Sequence, residues 1–177
     1  MRLFIAIELP KTVRSELSKA LRELRSRSSG GRFSPEDNLH ITLHFIGESD
    51  DLVGAVNAIR TACAGIRPFT LKPDSYDFLE KGERKTSFIT VGGETEELSI
   101  LREKLESALA DNGFNRDYHR FIPHITLGRN VEHDELVAME MREMAFRQSF
   151  TVSCVTLFES VREKGRMVYN PLHREKL

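Results

Sequence analysis

The chain has 177 residues, of which 40% are apolar and 30% are charged, and its formal net charge at pH 7 is −1. This length fits one domain with a sizeable core, and the composition is ordinary for a globular protein. The charge balance excludes a strongly basic protein that binds nucleic acid through its overall field, and no apolar run reaches the ~20 residues of a membrane-spanning helix.

The first half of the chain predicts a β-α-β-α-β order. Residues 2–8 are rich in branched and aromatic side chains, which indicates a strand, and the segment after them has apolar residues at helical spacing. Residues 39–46 are again strand-like, Ser49 or Asp50 can cap a second helix, and residues 67–79 return as a strand. The expected inner faces of the two helices are Val13, Leu17, Leu21 and Leu24 in the first and Leu52, Val56, Ile59 and Cys63 in the second.

The second half repeats this order. Thr95 is expected to cap its first helix, whose leucines form one stripe, and the Asn112-Gly113 pair is typical of a helix end. Residues 163–165 predict a tight hairpin turn near the C-terminus. The remaining elements of this half are strands over residues 86–91, 123–129 and 147–158 and a weaker helical pattern over 132–144.

One tetrapeptide, His-Ile-Thr-Leu, occurs at residues 40–43 and again at 124–127, an offset of 84. A four-residue identity at the equivalent strand of each half indicates an internal duplication rather than chance. Weaker matches agree with it: Phe-Ile at 4–5 and 88–89 has the same offset, and Phe-Thr at 69–70 and 150–151 is offset by 81.

The duplication predicts how the chain is divided. We expect a single domain over residues 1–177, made of two interleaved lobes that correspond roughly to residues 1–84 and 85–177. The lobes would most simply face each other about a pseudo-two-fold axis.

Strand geometry gives each tetrapeptide a polar and an apolar face. Side chains alternate across a strand, so His40 and Thr42 share one face while the Ile and Leu beside them point to the other. The same alternation groups His124 with Thr126. We expect the apolar faces to pack under helices and the two polar faces to meet across a cleft.

Two imidazoles and two hydroxyls suit a phosphoryl group. An unperturbed histidine pKa near ~6.5 allows one ring to act as general base and the other as general acid on opposite sides of an in-line displacement. The threonine hydroxyls can donate hydrogen bonds to the non-bridging oxygens, where charge develops. This chemistry requires no metal. Which histidine is the acid and which is the base stays open, because the two contexts are nearly equivalent.

The other four histidines are expected to have structural roles. His44 is predicted to share the face of His40, but it lies ~13 Å further along an extended strand, too far to bind one ion with it. Thr42 and Thr126 could also be mere strand formers. The remaining histidines of this group are His119, His133 and His173.

At these residues the sequence resembles the two-histidine (2H) phosphoesterase superfamily and, within it, the RNA 2′,3′-cyclic phosphodiesterases, also known as 2′-5′ RNA ligases. The resemblance covers nearly the whole chain. A single His-x-Thr motif would mean little, but two in this setting are a strong signal. The matching segments are residues 2–7, 38–43, 45–47, 123–129 and 157–160, together with Gly165 and Tyr169.

The resemblance implies an α+β, bilobal fold of two pseudo-symmetric lobes, each with an antiparallel sheet and two outer helices, and an active cleft between them. It implies His40 and His124 as acid and base, Thr42 and Thr126 as phosphate-binding residues, and Arg129 as a further contact to the substrate phosphate. No cofactor and no metal are implied. Whether Phe33 stacks on a base or packs its loop is left open.

The implied activity is hydrolysis of a terminal 2′,3′-cyclic phosphate on RNA to a 2′-phosphate, with reversible 2′-5′ RNA ligation as an accompanying activity. The implied partners are RNA ends or oligonucleotides that carry the cyclic phosphate. Two alternatives stay open. One is another two-histidine enzyme, acting on ADP-ribose cyclic phosphate, on 2′-5′ oligoadenylates or in trimming RNA 3′ ends. The other is a non-catalytic module that binds RNA ends.

The cysteines and the N-terminus bear on the compartment. Cys63 and Cys154 have no paired spacing, which argues against a zinc site and a disulfide framework. The short apolar N-terminal stretch lacks the cleavage site of a secretory signal. We expect a monomer in the reducing cytoplasm, with no membrane association.

Overall fold

Four helices lie against one antiparallel sheet in the computed structural model, which describes residues 1–177. This confirms the expected α+β class. None of the helices is long and apolar enough to cross a membrane. The elements are β1 (Arg2–Glu8), α1 (Lys11–Arg27), β2 (Gly30–Phe33), a 3₁₀ helix (Glu36–Asn38), β3 (His40–Glu48), α2 (Leu52–Cys63), β4 (Phe69–Lys81), β5 (Arg84–Gly93), α3 (Thr95–Asp111), β6 (His124–Glu132), α4 (Glu135–Arg142), β7 (Phe150–Val152), β8 (Cys154–Glu163) and β9 (Arg166–Lys176).

The sheet has two halves that meet at the strands with the repeated tetrapeptide. Its order is β7-β4-β5-β6-β3-β1-β8-β9, and β2 pairs with β6. The central neighbours β3 and β6 share a single paired position, Ile41 opposite Ile125. Beyond it, β2 takes the edge of β6, with Phe33 opposite Gly128. The sheet therefore opens along its centre, as a cleft between lobes requires.

Each half of the sheet carries a pair of helices. Helices α1 and α4 contact each other, as do α2 and α3; α4 lies against β4, and α2 lies against β8 and β9. All four contribute to one large core on the helical face of the sheet. The opposite face is free of helices and has only a small cluster of Phe4, Ala6 and Phe158, with Tyr169 packed against it.

The register of the sheet supports our proposal that the lobes arose by duplication. Phe4 in β1 lies opposite Phe158 in β8, and Phe88 in β5 lies opposite Asp77 in β4. The first residues of these pairs are 84 positions apart and the second are 81 apart, the two offsets of the sequence repeat. Strand β4 thus lies beside strands of the second half, and β8 lies beside β1 of the first. We propose two interleaved units that exchange their third strands.

A bulge in β3 overturns the expected face of His44. Ala6 lies opposite Thr42, but the next residue, Ile5, lies opposite His44, so Leu43 is an extra residue on β3. An extra residue reverses the alternation of side chains beyond it. His44 is therefore buried on the helical face, and Phe45 returns to the free face beside Phe4.

The same bulge occurs in the second lobe. Phe88 lies opposite Thr126, and the next residue, Ser87, lies opposite Gly128, so Leu127 is the extra residue. The exposed residue that follows each bulge is Phe45 in one lobe and Arg129 in the other. Identical backbone geometry thus presents an aromatic ring and a guanidinium at equivalent positions of the free face.

Several sequence predictions of local structure need correction. Asp51, rather than Ser49 or Asp50, caps α2, and its carboxylate accepts a hydrogen bond of 2.8 Å from the Gly54 amide. Thr95 does not cap α3, because the capping position is Glu94. The strand expected over 147–158 is interrupted at Ser153, and the short strand β2 was not foreseen. Leu52 and Val56 are only partly buried, since small residues such as Ala55, Ala58 and Ala62 form most of the inner face of α2.

Other local predictions are confirmed. The leucine stripe of α3 is buried, and Asn112 ends that helix before Gly113, whose φ is +86°. Lys164 and Gly165 form the two-residue turn between β8 and β9, and both have positive φ, as the tight turn of a twisted hairpin requires.

Candidate active site

The two repeated histidines are held in the same way. Nδ1 of His40 lies 2.6 Å from the carbonyl oxygen of Asn38, and Nδ1 of His124 lies 2.8 Å from that of Ile122. A carbonyl oxygen can only accept a hydrogen bond, so Nδ1 of each ring is the donor. In the neutral rings the lone pair is then on Nε2. Both imidazoles therefore present the same nitrogen for proton transfer.

The threonines differ between the two lobes. The Thr42 hydroxyl lies 2.8 Å from Nε2 of His40 and can donate to it. The Thr126 hydroxyl makes no hydrogen bond, while the Thr126 carbonyl accepts one from the Ser34 hydroxyl. Both threonines are half-buried on the side of the sheet that carries the histidines. Thr126 is therefore free to bind a ligand, whereas Thr42 must first turn away from His40.

Aromatic rings support both imidazoles. The ring centroid of Phe4 lies 5.2 Å from that of His40, and the centroid of Phe88 lies 5.2 Å from that of His124. These two phenylalanines are equivalent in the repeat. Tyr169 adds a perpendicular contact to His40 at 5.4 Å and makes no hydrogen bond through its hydroxyl. Burial raises the pKa of Tyr169, which keeps the phenol neutral.

The electrostatic environment of His40 favours its neutral form. Burial lowers the pKa of His40, the hydrogen bond to the Asn38 carbonyl opposes this, and the charges of His124 and Arg129 lower it further. The pairing of Ile41 with Ile125 sets His40 and His124 on the same face of neighbouring strands. The site therefore attracts an anion while it holds at least one imidazole unprotonated.

Arg129 is an unpaired cation at this cleft. Its side chain is exposed and forms no ion pair, although it lies opposite Arg32 in the pairing of β2 with β6. Its charge also opposes the effect of burial on the pKa of Tyr169. A guanidinium without a partner beside two imidazoles is well suited to bind phosphate oxygens.

A cavity of about 180 Å³ adjoins His40 but is lined by neither His124 nor Arg129. Its charged residues are paired off, Arg14 with Asp37 and Arg174 with Glu8. A phosphate in this cavity would meet two carboxylates. We therefore propose the cleft between the lobes, where Arg129 has no ionic partner, as the site of the phosphoryl group.

A comparison with known proteins identifies the family of this chain. The model of the 2′-5′ RNA ligase superfamily matches residues 13–164. The chain belongs to this family.

Its relatives resemble it over most of their length. The RNA 2′,3′-cyclic phosphodiesterase of Thermotoga maritima is 35% identical over 136 residues, which cover 73% of this chain and 70% of the relative. The crystal structure of TT0787 of Thermus thermophilus has a TM-score of 0.80 and 25% identity, and covers 100% of this chain and 98% of that one. The structure of Escherichia coli LigT complexed with 3′-AMP has a TM-score of 0.75 and 28% identity, covering 99% and 97%.

The four other histidines lie away from the cleft pair. His44 contacts Glu106 at 2.5 Å, and His133 contacts the Tyr76 hydroxyl at 2.6 Å. His119 pairs with Asp117, and His173 pairs with Glu175. No group of three or more His, Cys, Asp and Glu side chains is arranged to hold a metal ion.

The sequence pointed to one aromatic residue near the site, Phe33, but did not predict the aromatic residues that contact the histidines. Phe33 is half-buried, and its ring lies 3.2 Å from where a side chain at Gly31 or Gly128 would begin, so it packs its loop. The contacts of Phe4, Phe88 and Tyr169 with the histidines were not foreseen. The repeated Phe-Ile dipeptide was the available signal for the first two.

Proposed function

We propose that this protein is an RNA 2′,3′-cyclic phosphodiesterase that hydrolyses a terminal 2′,3′-cyclic phosphate to a 2′-phosphate. The observation that carries the proposal is the matched pair of imidazoles, each fixed by a backbone carbonyl with Nε2 available for proton transfer. Membership of the 2′-5′ RNA ligase superfamily supports it, as does a relative named for this activity. A related structure holds 3′-AMP, a nucleotide with a phosphate on its ribose.

The proposed reaction is one in-line displacement at phosphorus. One histidine takes a proton from water, and the water oxygen bonds to phosphorus. The bond between phosphorus and the 3′-oxygen breaks, and the other histidine, as imidazolium, protonates that oxygen. Thr42, Thr126 and Arg129 donate hydrogen bonds to the non-bridging oxygens, where negative charge increases. With the 5′-hydroxyl of a second RNA in place of water, the same displacement bonds its oxygen to phosphorus, expels the 3′-oxygen and gives a 2′-5′ linkage.

The test is direct. Purified protein is incubated in EDTA with an oligoribonucleotide ending in 2′,3′-cyclic phosphate, and phosphorus NMR identifies the product. Formation of a 2′-phosphate at the same rate with and without EDTA supports the proposal. A requirement for added Zn²⁺ or Mg²⁺ would instead indicate a metal hydrolase. Binding of the RNA end without turnover would indicate a non-catalytic module, and turnover only of ADP-ribose cyclic phosphate or 2′-5′ oligoadenylate would indicate a different branch of the superfamily.

The surroundings of the two histidines support a division of labour between them. His40 contacts Phe4 and Tyr169 and has a lowered pKa, whereas His124 lacks a second aromatic contact. The neutral form that a general base requires is therefore favoured at His40. We propose His40 as the base and His124 as the acid. A diester with a 4-nitrophenolate leaving group needs no acid, so on it His124→Ala should lose much less activity than His40→Ala. The reverse order would exchange the roles.

The pH profile of kcat/KM is expected to be bell-shaped, because one histidine must be neutral and the other protonated. As the pH falls, activity is lost when His40 gains a proton. Because the pKa of His40 is lowered, the acid limb should lie below the ordinary histidine value of ~6.5. In Arg129→Gln this limb should move to higher pH, since a charge that lowers the pKa has been removed. A profile that is flat from pH 5 to 9 would contradict the acid–base pair.

Arg129→Gln is also expected to lower kcat/KM by about 10- to 100-fold, the typical effect of losing a hydrogen bond to a charged group. The measurement is steady-state hydrolysis at constant ionic strength. Arg32→Gln is the matched control, since Arg32 lies opposite Arg129 on β2 but was not assigned to phosphate. Equal losses in the two variants would show a general effect of charge and contradict a specific contact.

The proposal also includes the oligomeric state of the enzyme and its cellular compartment. Both histidines and both threonines come from one chain, which supports a monomer. Two free cysteines, Cys63 and Cys154, support a reducing cytoplasm.

A further inference from the structure

A buried charged network lies on the helical face, directly behind the site. Glu106 of α3 is fully buried, and its carboxylate is contacted by Nδ1 of His44 at 2.5 Å, a guanidinium nitrogen of Arg102 at 3.1 Å and the backbone amide of Asp117 at 2.7 Å. Arg102 is also buried. Buried charges are costly unless they are paired and hydrogen-bonded. Such a network therefore holds the elements that it joins in a fixed arrangement.

One branch of this network holds the first catalytic strand. Nε of Arg102 donates to the carbonyl oxygen of Leu43 at 2.7 Å. Leu43 is the extra residue of the β3 bulge, directly after Thr42, whose hydroxyl contacts His40. The guanidinium thus fixes the bulge from behind and with it the orientation of the His40–Thr42 pair.

The other branch holds the segment that enters the second catalytic strand. Arg102 donates to the Asp117 carboxylate at 3.3 Å and lies over the ring of Phe121, 5.2 Å from its centroid. Phe121 is followed by Ile122, whose carbonyl oxygen fixes the tautomer of His124. Residues 114–123 form no helix or strand, so these side-chain contacts hold the segment in place of regular backbone hydrogen bonds.

We infer that Arg102, together with Glu106, is a positioning residue that sets both catalytic imidazoles from the opposite side of the sheet. Neither residue touches the cleft, so the effect is transmitted through the Leu43 carbonyl and the 117–122 segment. The inference rests on the proposed function, because it takes His40 and His124 as the acid–base pair. An error of about 1 Å in a catalytic group can cost ~10²-fold in rate.

The test compares two arginine-to-lysine variants. Arg102→Lys keeps the charge but loses the forked geometry that reaches Leu43, Glu106 and Asp117 together. Arg142→Lys is the matched control, because Arg142 lies in α4, outside both branches, and pairs with Asp77 and Glu135 at the protein surface. We expect Arg102→Lys to lower kcat by about 10- to 100-fold with KM little changed, and Arg142→Lys to behave as the wild type.

Imidazole ¹⁵N NMR gives a readout that does not depend on turnover. In the wild type both rings should show the Nδ1–H tautomer, and in Arg102→Lys the His124 signals should shift toward a mixture of tautomers. Asp117→Asn, at a carboxylate 41% exposed, weakens only the second branch and leaves the buried pair of Arg102 and Glu106 in place; it should alter the signals of His124 but not those of His40. Unchanged imidazole signals in both Arg102→Lys and Asp117→Asn, with kcat equal to that of Arg142→Lys, would overturn the inference. Absence of cyclic phosphodiesterase activity in the wild type would overturn the proposed function and leave the tautomer result to decide the positioning role.

Discussion

Replacement of either His40 or His124 by alanine is expected to lower kcat/KM for a 2′,3′-cyclic phosphate by ~10²–10⁴. In each ring, the contact of Nδ1 with a backbone carbonyl leaves Nε2 facing the cleft, so each alanine variant loses one proton-transfer step. The measurement is steady-state hydrolysis of an oligoribonucleotide that ends in the cyclic phosphate, in EDTA. Because the two rings act on one displacement, the double variant should lose little more than the worse single variant.

The control for this pair is His173→Ala. His173 in β9 contacts Glu175 at 2.7 Å and does not take part in the cleft. Its loss should leave the rate within about twofold of the wild type, since surface substitutions away from special features have small effects. Wild-type activity in either cleft variant would remove the basis of the proposed mechanism. An equal loss in all three variants would indicate unfolding rather than chemistry, which circular dichroism would detect.

The site could be predicted from the sequence because the same tetrapeptide occurs in both halves of the chain. A polar residue every second position of a strand is enough to group His40 with Thr42 and His124 with Thr126. The bulges come directly after these residues, so they leave the grouping intact. The predicted face of His44 was wrong, because a bulge depends on how a strand is paired with its neighbour. The alternation of polar and apolar residues within the strand does not reveal it.

The parts of the site that could not be predicted come from non-local contacts. Tyr169 reaches His40 only because β9 pairs with β8 and β8 pairs with β1. Arg102 reads as a polar residue on a leucine-striped helix, a position that would ordinarily face solvent. Glu106 is a local partner, four residues on in the same helix, but the burial of Arg102 also depends on the Leu43 carbonyl and the Asp117 carboxylate, which lie near it only in the folded chain. Periodicity in the sequence carries no information on such partners.

The residues at the meeting point of the lobes give the second large prediction. Ile41 and Ile125 are fully buried, are equivalent in the repeat and lie opposite each other at the single paired position of β3 and β6. Ile41→Ala or Ile125→Ala is expected to lower the free energy of unfolding by ~2–5 kcal/mol, through lost apolar burial and the cavity left behind. Urea denaturation measures it, and Ile→Val at the same positions should cost only about 0.5–1.5 kcal/mol.

A double-mutant cycle tests whether these two residues act together. Side chains in direct contact show coupling energies of roughly 0.5–3 kcal/mol, whereas distant ones add independently. Val53→Ala, at a helix position 72% exposed, is the control and should change the free energy of unfolding by less than about 0.5 kcal/mol. A coupling of zero between Ile41 and Ile125 would show that these two side chains do not stabilise the junction of the lobes together. A measurable coupling would place the junction of the lobes one residue from each catalytic histidine, so that the strength of this contact sets how firmly the two imidazoles are held against each other.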